Sequence, residues 1–335
     1  NRLNMKKKFN IMLCTLIGVL SACNEYDFDQ EQYRNEVGLL SNSSLIYDRQ
    51  VANVGQEKDT IYLVATVSGS QISPNTHHVA LLESDSLLKA YNKSNFDIEK
   101  EKFAKLLPDE CYDFPNKELD IQAGTSKVMF PIYLKNLERI SPDSIYFLDY
   151  KIDPDKSHVL LRIYKENYYA TTKTSTYYNY TSSTIVIPNP SGSPEVRRPT
   201  NANQVFPIGA NSVRMMAGDE DLGDYKTARS RIVSKSIILE IGEQQPENPQ
   251  ARELTIRAHD RVNDVEVDPV DVVQLTPIDD YDNTFLLNAI RTPDGRATYY
   301  KEFRLHYKYR LESTAPYREV KAKLRYEFNP RVDNL

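Results

Sequence analysis

FRLHYKYR, Phe303 to Arg310, alternates without a break. Phe303, Leu305, Tyr307 and Tyr309, with Leu311 beyond, are separated by Arg304, His306, Lys308 and Arg310. A period of two places every apolar side chain on one face of an extended chain and every charge on the other, which marks a half-buried antiparallel strand with one wet face. The pattern returns in Val320, Ala322, Leu324, Tyr326 and Phe328, interleaved with Lys321, Lys323, Arg325 and Glu327. Thr60 to Val67 (TIYLVATV) is a further run of strand-favouring residues. Pro293-Asp294-Gly295 is a turn signal between a run ending at Ile290 and the strand beginning near Tyr299, so a hairpin is expected there. The chain has 23 Tyr, 11 Phe and no Trp, a bias that also favours strands. One helix is expected, from Asp97 to Leu107 (DIEKEKFAKLL), with Asp97 as its cap and Pro108 as its stop. The basic faces of the last strands are interspersed with Glu302, Glu319 and Glu327 and read as solvated strand faces.

The other end of the chain speaks of location. Lys6, Lys7 and Lys8 precede an apolar run from Phe9 to Leu20, behind the first plausible start at Met5. About a dozen apolar residues suit a signal peptide, and a membrane-spanning helix needs roughly 20. Leu20-Ser21-Ala22-Cys23 resembles the lipobox of bacterial lipoproteins, which implies that Cys23 is acylated after cleavage of residues 1–22. Each acyl chain adds about 0.8 kcal/mol per buried methylene, so two or three chains hold a protein on a bilayer. Glu25, Asp27, Asp29 and Glu31 form an acidic tether over residues 23–32. In this position they resemble the signal that carries Bacteroidetes lipoproteins to the outer cell surface. The expected location is therefore the outer membrane, lipid-anchored and facing outward. Loss of residues 1–22 lowers the basic count from 42 to 38 against 47 acids, a net charge of −9. Nucleic acid is an unsuitable partner for such a chain, because phosphates need clustered Lys and Arg. With Cys14 removed and Cys23 acylated, Cys111 alone remains; no disulfide is possible, and Cys111 reads as a small buried residue.

The mature length suggests two domains. Lys151 to His158 (KIDPDKSH) and the proline-rich Ile187 to Gln204 are both breaks. The choice between them comes from resemblance. Residues from about Tyr33 to Ile152 are similar to the N-terminal domain of a Bacteroidetes surface-lipoprotein family of unknown function. The matching landmarks are Glu36-Val37-Gly38-Leu39, Val79-Ala80-Leu81-Leu82, Leu88-Lys89-Ala90-Tyr91-Asn92, Leu107-Pro108, Cys111-Tyr112 and Leu119 to Gly124 (LDIQAG). Tyr146-Phe147-Leu148 closes the set, with Asp149 where the family usually has proline. The later segments Phe206-Pro207-Ile208, Val213 to Gly218 (VRMMAG) and Phe303 to Arg310 resemble the domain that follows it in that family. The resemblance implies an immunoglobulin-like β-sandwich over residues 33–155 and a second antiparallel β domain, sandwich or barrel-like, over 156–335. It also implies a setting beside outer-membrane transporters that capture polysaccharides, in polysaccharide-utilisation loci.

Two non-catalytic functions fit. One is binding of a polysaccharide or oligosaccharide beside a transporter: sugar rings stack on aromatic faces while their hydroxyls meet polar groups. The candidate rings are Tyr168, Tyr169, Tyr177, Tyr178 and Tyr180, in a Thr/Ser-rich setting, with burial in the sandwich as the competing reading. The other is an adhesin-like or scaffolding module, marked by a flat apolar patch or an unpaired strand edge. Enzyme motifs are missing: there is no G-x-S-x-G and no H-E-x-x-H, so no catalytic residue is assigned. Two carboxylates about 5–10 Å apart would still suffice for a glycoside hydrolase. No cofactor is expected. His77 and His78 point to opposite faces of any strand and make a poor metal pair. Asp219, Glu220, Asp221 and Asp224 are the densest acidic cluster, open to calcium or to simple solvation. Asp59-Thr60-Ile61, Asp85-Ser86-Leu87 and Asp143-Ser144-Ile145 resemble a Bacteroidetes O-glycosylation motif and say nothing of function.

Overall fold

The computed structural model describes residues 35–330 except 153–156, 174, 222–231, 263–264, 267–268 and 292. Cys23, the signal segment and the acidic tether lie outside the described residues. The chain is mostly strand, as the alternation requires. No helix among the described residues is long and apolar enough to cross a membrane.

The first half contains β1 (Val37–Leu39), β2 (Ile46–Asn53), β3 (Asp59–Val67), β4 (His77–Glu83), helix α1 (Ser86–Phe96), β5 (Lys105–Leu106), β6 (Tyr112–Asp113), β7 (Glu118–Ile121), β8 (Lys127–Leu134), β9 (Tyr146–Ile152) and β10 (His158–Glu166). One sheet has the order β1-β3-β8-β6, and the facing sheet β2-β10-β9-β4-β7 with β5 beside β9. The period of two is visible in what each strand buries: Ile61, Leu63 and Ala65 from β3, and Phe130, Ile132 and Leu134 from β8. These meet Leu148, Tyr150 and Leu161 of the facing sheet in one core. Most pairs are antiparallel, but β2 runs parallel to β10. β10 pairs with β9 and β2 in this sheet, and residues 155 and 156, the expected division, lie outside the described residues.

The helix is not where the sequence pattern placed it. It spans Ser86–Phe96, and Asp97 ends it with φ of 49°. Residues 98–107 instead form a short 3-10 turn and then β5, which runs parallel to β9. The physical reason is tertiary. Leu88, Ala104, Phe147 and Leu160 make a second small cluster on the outer side of the β9–β10 sheet. The buried Asn92 side chain ties the helix to residue 104, accepting from its N–H at 2.8 Å and donating to its carbonyl at 2.9 Å. Helix and extended strap cover that side together, which explains why Tyr146 to Tyr150 are all buried. Asp149 accepts the Leu88 N–H at 3.0 Å and so satisfies an otherwise free donor in the first turn of α1.

The second half contains β11 (Thr176–Asn179), β12 (Thr184–Ile187), β13 (Glu195–Arg197), β14 (Ala202–Gln204), β15 (Phe206–Gly209), β16 (Ser212–Met216), β17 (Ser236–Gln245), β18 (Asn248–Ala258), β19 (Arg261–Val262), β20 (Val265–Glu266), β21 (Asp271–Gln274), β22 (Thr284–Arg291), β23 (Ala297–Arg310) and β24 (Arg318–Phe328). Its main sheet runs β13-β12-β24-β23-β22-β18-β17-β16-β15, with β11, β14 and β21 attached, and does not close into a barrel. The expected hairpin is β22–β23, with Gly295 in its turn at φ of 82°. Phe303, Leu305, Tyr307 and Tyr309 are buried, as are Val320, Ala322 and Leu324 of β24. They form the second core with Tyr177 of β11 and with Ile237 and Leu239 of β17.

Where the two halves meet, the contacts are polar and buried. Lys165 of β10 is 1% exposed. Its ammonium donates to the carbonyls of Ile140 at 2.7 Å, Leu137 at 3.3 Å and Ile208 at 3.4 Å, the last from β15. Beside it, Arg214 of β16 forms a buried ion pair with Asp143.

Candidate functional site

The charged faces of β23 and β24 depart from the solvated reading. Glu302 is 0% exposed, and His306 and Lys323 are also buried. Residues 275–283 fold over this side. Lys323 donates to Asp280 at 2.8 Å, and His306 Nδ1 lies 2.7 Å from the Thr276 carbonyl. Tyr281 donates to the Ser182 carbonyl at 2.6 Å and holds the cover to the β11–β12 connection. At the centre, Glu302 accepts from Arg304 Nε at 2.7 Å and also from Arg325 Nε. Burial by itself raises the Glu302 pKa, but the hydrogen bonds from Arg304 and Arg325 outweigh it and hold the carboxyl below its usual range.

Next to this cluster lies a cavity of about 450 Å³, lined by Thr176, Tyr178, Asn179, Tyr180, Tyr300, Arg325, Tyr326 and Glu327. Strand pairing builds it. Tyr178 sits opposite Arg325 and Asn179 opposite Leu324, while Tyr300 of β23 sits opposite Glu327. The pleat of β11 sends Tyr177 inward and Tyr178 outward, so Tyr178 is 61% exposed and Tyr177 not at all. Tyr180 is placed by its N–H, which donates to the Lys323 carbonyl at 2.8 Å. Arg325 lies over the Tyr180 ring at 4.2 Å and over Tyr300 at 5.4 Å. Asn179 is fixed by donation to the Thr200 carbonyl at 2.6 Å. Open ring faces, hydroxyls, an amide and a guanidinium thus border one hollow.

The five tyrosines chosen from sequence separate. Tyr178 and Tyr180 line the cavity. Tyr168 is partly exposed but sits elsewhere, against Tyr169 and Phe285. Tyr169 and Tyr177 are corrections to that set: they are core residues, and the Tyr177 hydroxyl donates to the Tyr169 carbonyl at 2.6 Å. Their rings pack on Phe285 and on Phe303, with no face left for a ligand. Sequence reading missed Tyr300, Arg325 and Glu327 as site residues. The available signal was Glu302 and Glu327 standing among basic residues of strands already assigned.

Asp219 and Glu220 of the acidic cluster are engaged by groups of their own chain. Asp219 pairs with Arg197 at 2.5 Å, and Glu220 with Lys235 at 2.7 Å and Arg318 at 3.2 Å. The Tyr309 hydroxyl donates to Asp219 at 2.7 Å. Asp224 lies outside the described residues, and among those described no group of His, Cys, Asp and Glu is arranged to hold a metal. His77 bonds Ser73 at 2.7 Å while His78 bonds Asp120 at 2.7 Å on the other face. Cys111 is wholly buried, and burial pushes its thiol up to about 11.

Comparison with known proteins adds the following. A family model for an N-terminal domain matches residues 33–159, and its companion model for a C-terminal domain matches residues 157–325. Among solved structures, a multidomain protein including DUF1735 from Bacteroides ovatus aligns over 87% of this chain and 94% of its own, with 17% identity and a TM-score of 0.63. A second Bacteroides ovatus protein of unknown function aligns over 92% and 96%, with 16% identity and a TM-score of 0.62. An auxiliary nutrient binding protein from Bacteroides thetaiotaomicron aligns over 84% and 91%, with 16% identity and a TM-score of 0.59. At such identities the likeness is one of fold. No curated protein matches the chain.

Proposed function

The chain belongs to a Bacteroidetes two-domain family of unknown function, and from that premise we propose that it is a non-catalytic glycan-binding protein whose site is the cavity of Tyr178, Tyr180, Tyr300 and Arg325. The observation that carries this reading is the Tyr178 ring, 61% exposed on a paired strand and flanked by polar groups that are already fixed. A ring held by a sheet loses little freedom on stacking against a sugar. The similar fold of a Bacteroides thetaiotaomicron auxiliary nutrient binding protein supports a nutrient ligand. Hydrolysis fits the cavity poorly. Among the described residues Glu327 is the one carboxylate in its wall, and the nearby Glu302 is buried under two guanidiniums.

In this proposal acylated Cys23 anchors the protein to the outer face of the outer membrane, where it presents oligosaccharide to a transporter. The test is affinity electrophoresis of the full chain in detergent micelles through gels containing plant, host and microbial polysaccharides. Retardation by a glycan, lost in Tyr178→Ala, supports the reading. Retardation unchanged in that variant removes the site from it. A second reading, contact with another surface protein, has its own observation: Tyr62 and Met129 are exposed on the neighbouring strands β3 and β8. It takes over if no glycan retards the chain, and a pull-down from outer membranes then tests it.

A further inference from the structure

Resting on that reading of the cavity, we infer that its glycan carries a carboxylate, as a uronic acid unit does, and that the terminal nitrogens of Arg325 receive it. Three cations converge beside the hollow, and two of them are engaged. Lys323 donates to Asp280 at 2.8 Å. Arg304 donates to Glu302 at 2.7 Å and faces Asp282 at 3.8 Å. Arg325 is different. Its Nε is taken by Glu302, and among the described residues neither Nη has an acceptor and no second carboxylate lies within ion-pair distance.

Its side chain is only 15% exposed. The guanidinium lies over the Tyr180 ring at 4.2 Å and its Nε is engaged by Glu302, so recognition falls to the two Nη groups. Arg325 is part of the cavity wall. Two parallel N–H donors in one plane match the two oxygens of a carboxylate, whereas a sugar hydroxyl engages one of them. Arg304 has Asp282 as well as Glu302, so Arg325 is the one of the three cations that holds only a share of one carboxylate. Glu327 stands two residues along β24 and opposes an anionic ligand, which gives the inference a signature of its own.

The test compares retardation of the full chain, in detergent micelles, by polygalacturonate, alginate, glucuronoxylan and hyaluronan. Each is run as prepared and after chemical reduction of its carboxyl groups to alcohols, beside neutral and sulfated polysaccharides. Expected is retardation by a uronate polymer that weakens at least about tenfold on carboxyl reduction and falls similarly in Arg325→Lys, which keeps the charge near Glu302 but loses the fork. Glu327→Gln should raise uronate binding relative to neutral-glycan binding about threefold, as one like charge at roughly two residues' distance along a strand predicts. Thermal melts confirm that both variants fold. Equal retardation before and after reduction, or by neutral glycans only, overturns the carboxylate and leaves the glycan reading standing. Sulfated polymers binding as well as uronates overturn selectivity for a carboxylate. Retardation by no glycan overturns the glycan reading and this inference with it.

Discussion

Lys165 gives a sharp test of the energetics at the junction of the two halves. Burial removes its ammonium from water and pulls its pKa down to about 7, against partial restoration by Asp143 and Glu138. The unfolded chain keeps a lysine near its ordinary value of about 10.4. Between those two values the unfolded state holds a proton that the folded state has shed. Stability therefore rises with pH across that window, at up to about 1.4 kcal/mol per unit, and the full cost of burying the charge is felt below the folded value. From pH 7 to pH 9.5 the gain is about 3 kcal/mol. Above that the many tyrosines begin to ionise in the unfolded chain. The burial-raised pKa values of Tyr307 and Tyr309 then act in the opposite direction. Lys165→Met removes the titration. It also leaves the carbonyls of Leu137, Ile140 and Ile208 without this donor, an offset that does not depend on pH. The difference in slope is thus the quantity to measure. Urea unfolding followed by tyrosine fluorescence suits a chain with 23 Tyr and no Trp. Wild type should gain stability over the window relative to Lys165→Met, whose own stability should fall by about 1 kcal/mol towards pH 9.5 as the unfolded Cys111 thiol ionises while burial keeps the folded one protonated. Parallel pH dependences would refute the argument.

Two further outcomes follow from the same reasoning. Tyr177→Ala should cost about 3–5 kcal/mol, because a fully buried ring is lost from between Phe303 and Tyr326; Tyr177→Phe should cost only about 1–2 kcal/mol, for the unpaired Tyr169 carbonyl. Thermal melts separate these from Tyr178→Ala, which should leave stability within about 0.5 kcal/mol of wild type. On the acid side, Glu302 is held low by Arg304 and Arg325 against burial, Asp280 by Lys323, and Glu319 by His306 and then Lys321. Their stabilisation is present above the usual carboxylate range and is lost as pH falls below about 4. Circular dichroism across that range should show an acid transition that Glu302→Gln makes shallower, and a Glu302→Gln curve parallel to wild type would contradict the role given to that cluster.

Much of the architecture was legible in the sequence because β23 and β24 alternate strictly and a Pro-Asp-Gly turn sits between β22 and β23. The helix was not. Residues 97–107 are rich in helix formers, yet Phe147 and Leu160 offered an apolar surface that the preceding segment fills better, and tertiary packing overrode local preference. The site was half legible. Tyr177 and Tyr178 had to point to opposite faces, but which one met the core depended on pairing with β24, far away in sequence. The same dependence hid Arg325 and Tyr300. On their own strands they look like any charged or polar residue on an outer face, and only Glu302 and Glu327, placed among basic residues, hinted at an internal network.

The pairing of Tyr178 with Arg325 also has a consequence for how the molecule comes into being. One wall of the cavity is made early in the chain's second half, and the other belongs to its last described strand. Contacts so distant in sequence require a large loop to close before they return any stabilisation, which slows folding. The first half has the same character, since β2 waits for β10 to lie beside it in parallel. A nascent or truncated chain that stops short of β24 therefore leaves β11 and β12 as open edges, prone to pair with other chains. The proposed binding surface therefore exists only once β24 has paired with β11, so it doubles as a report on that late pairing.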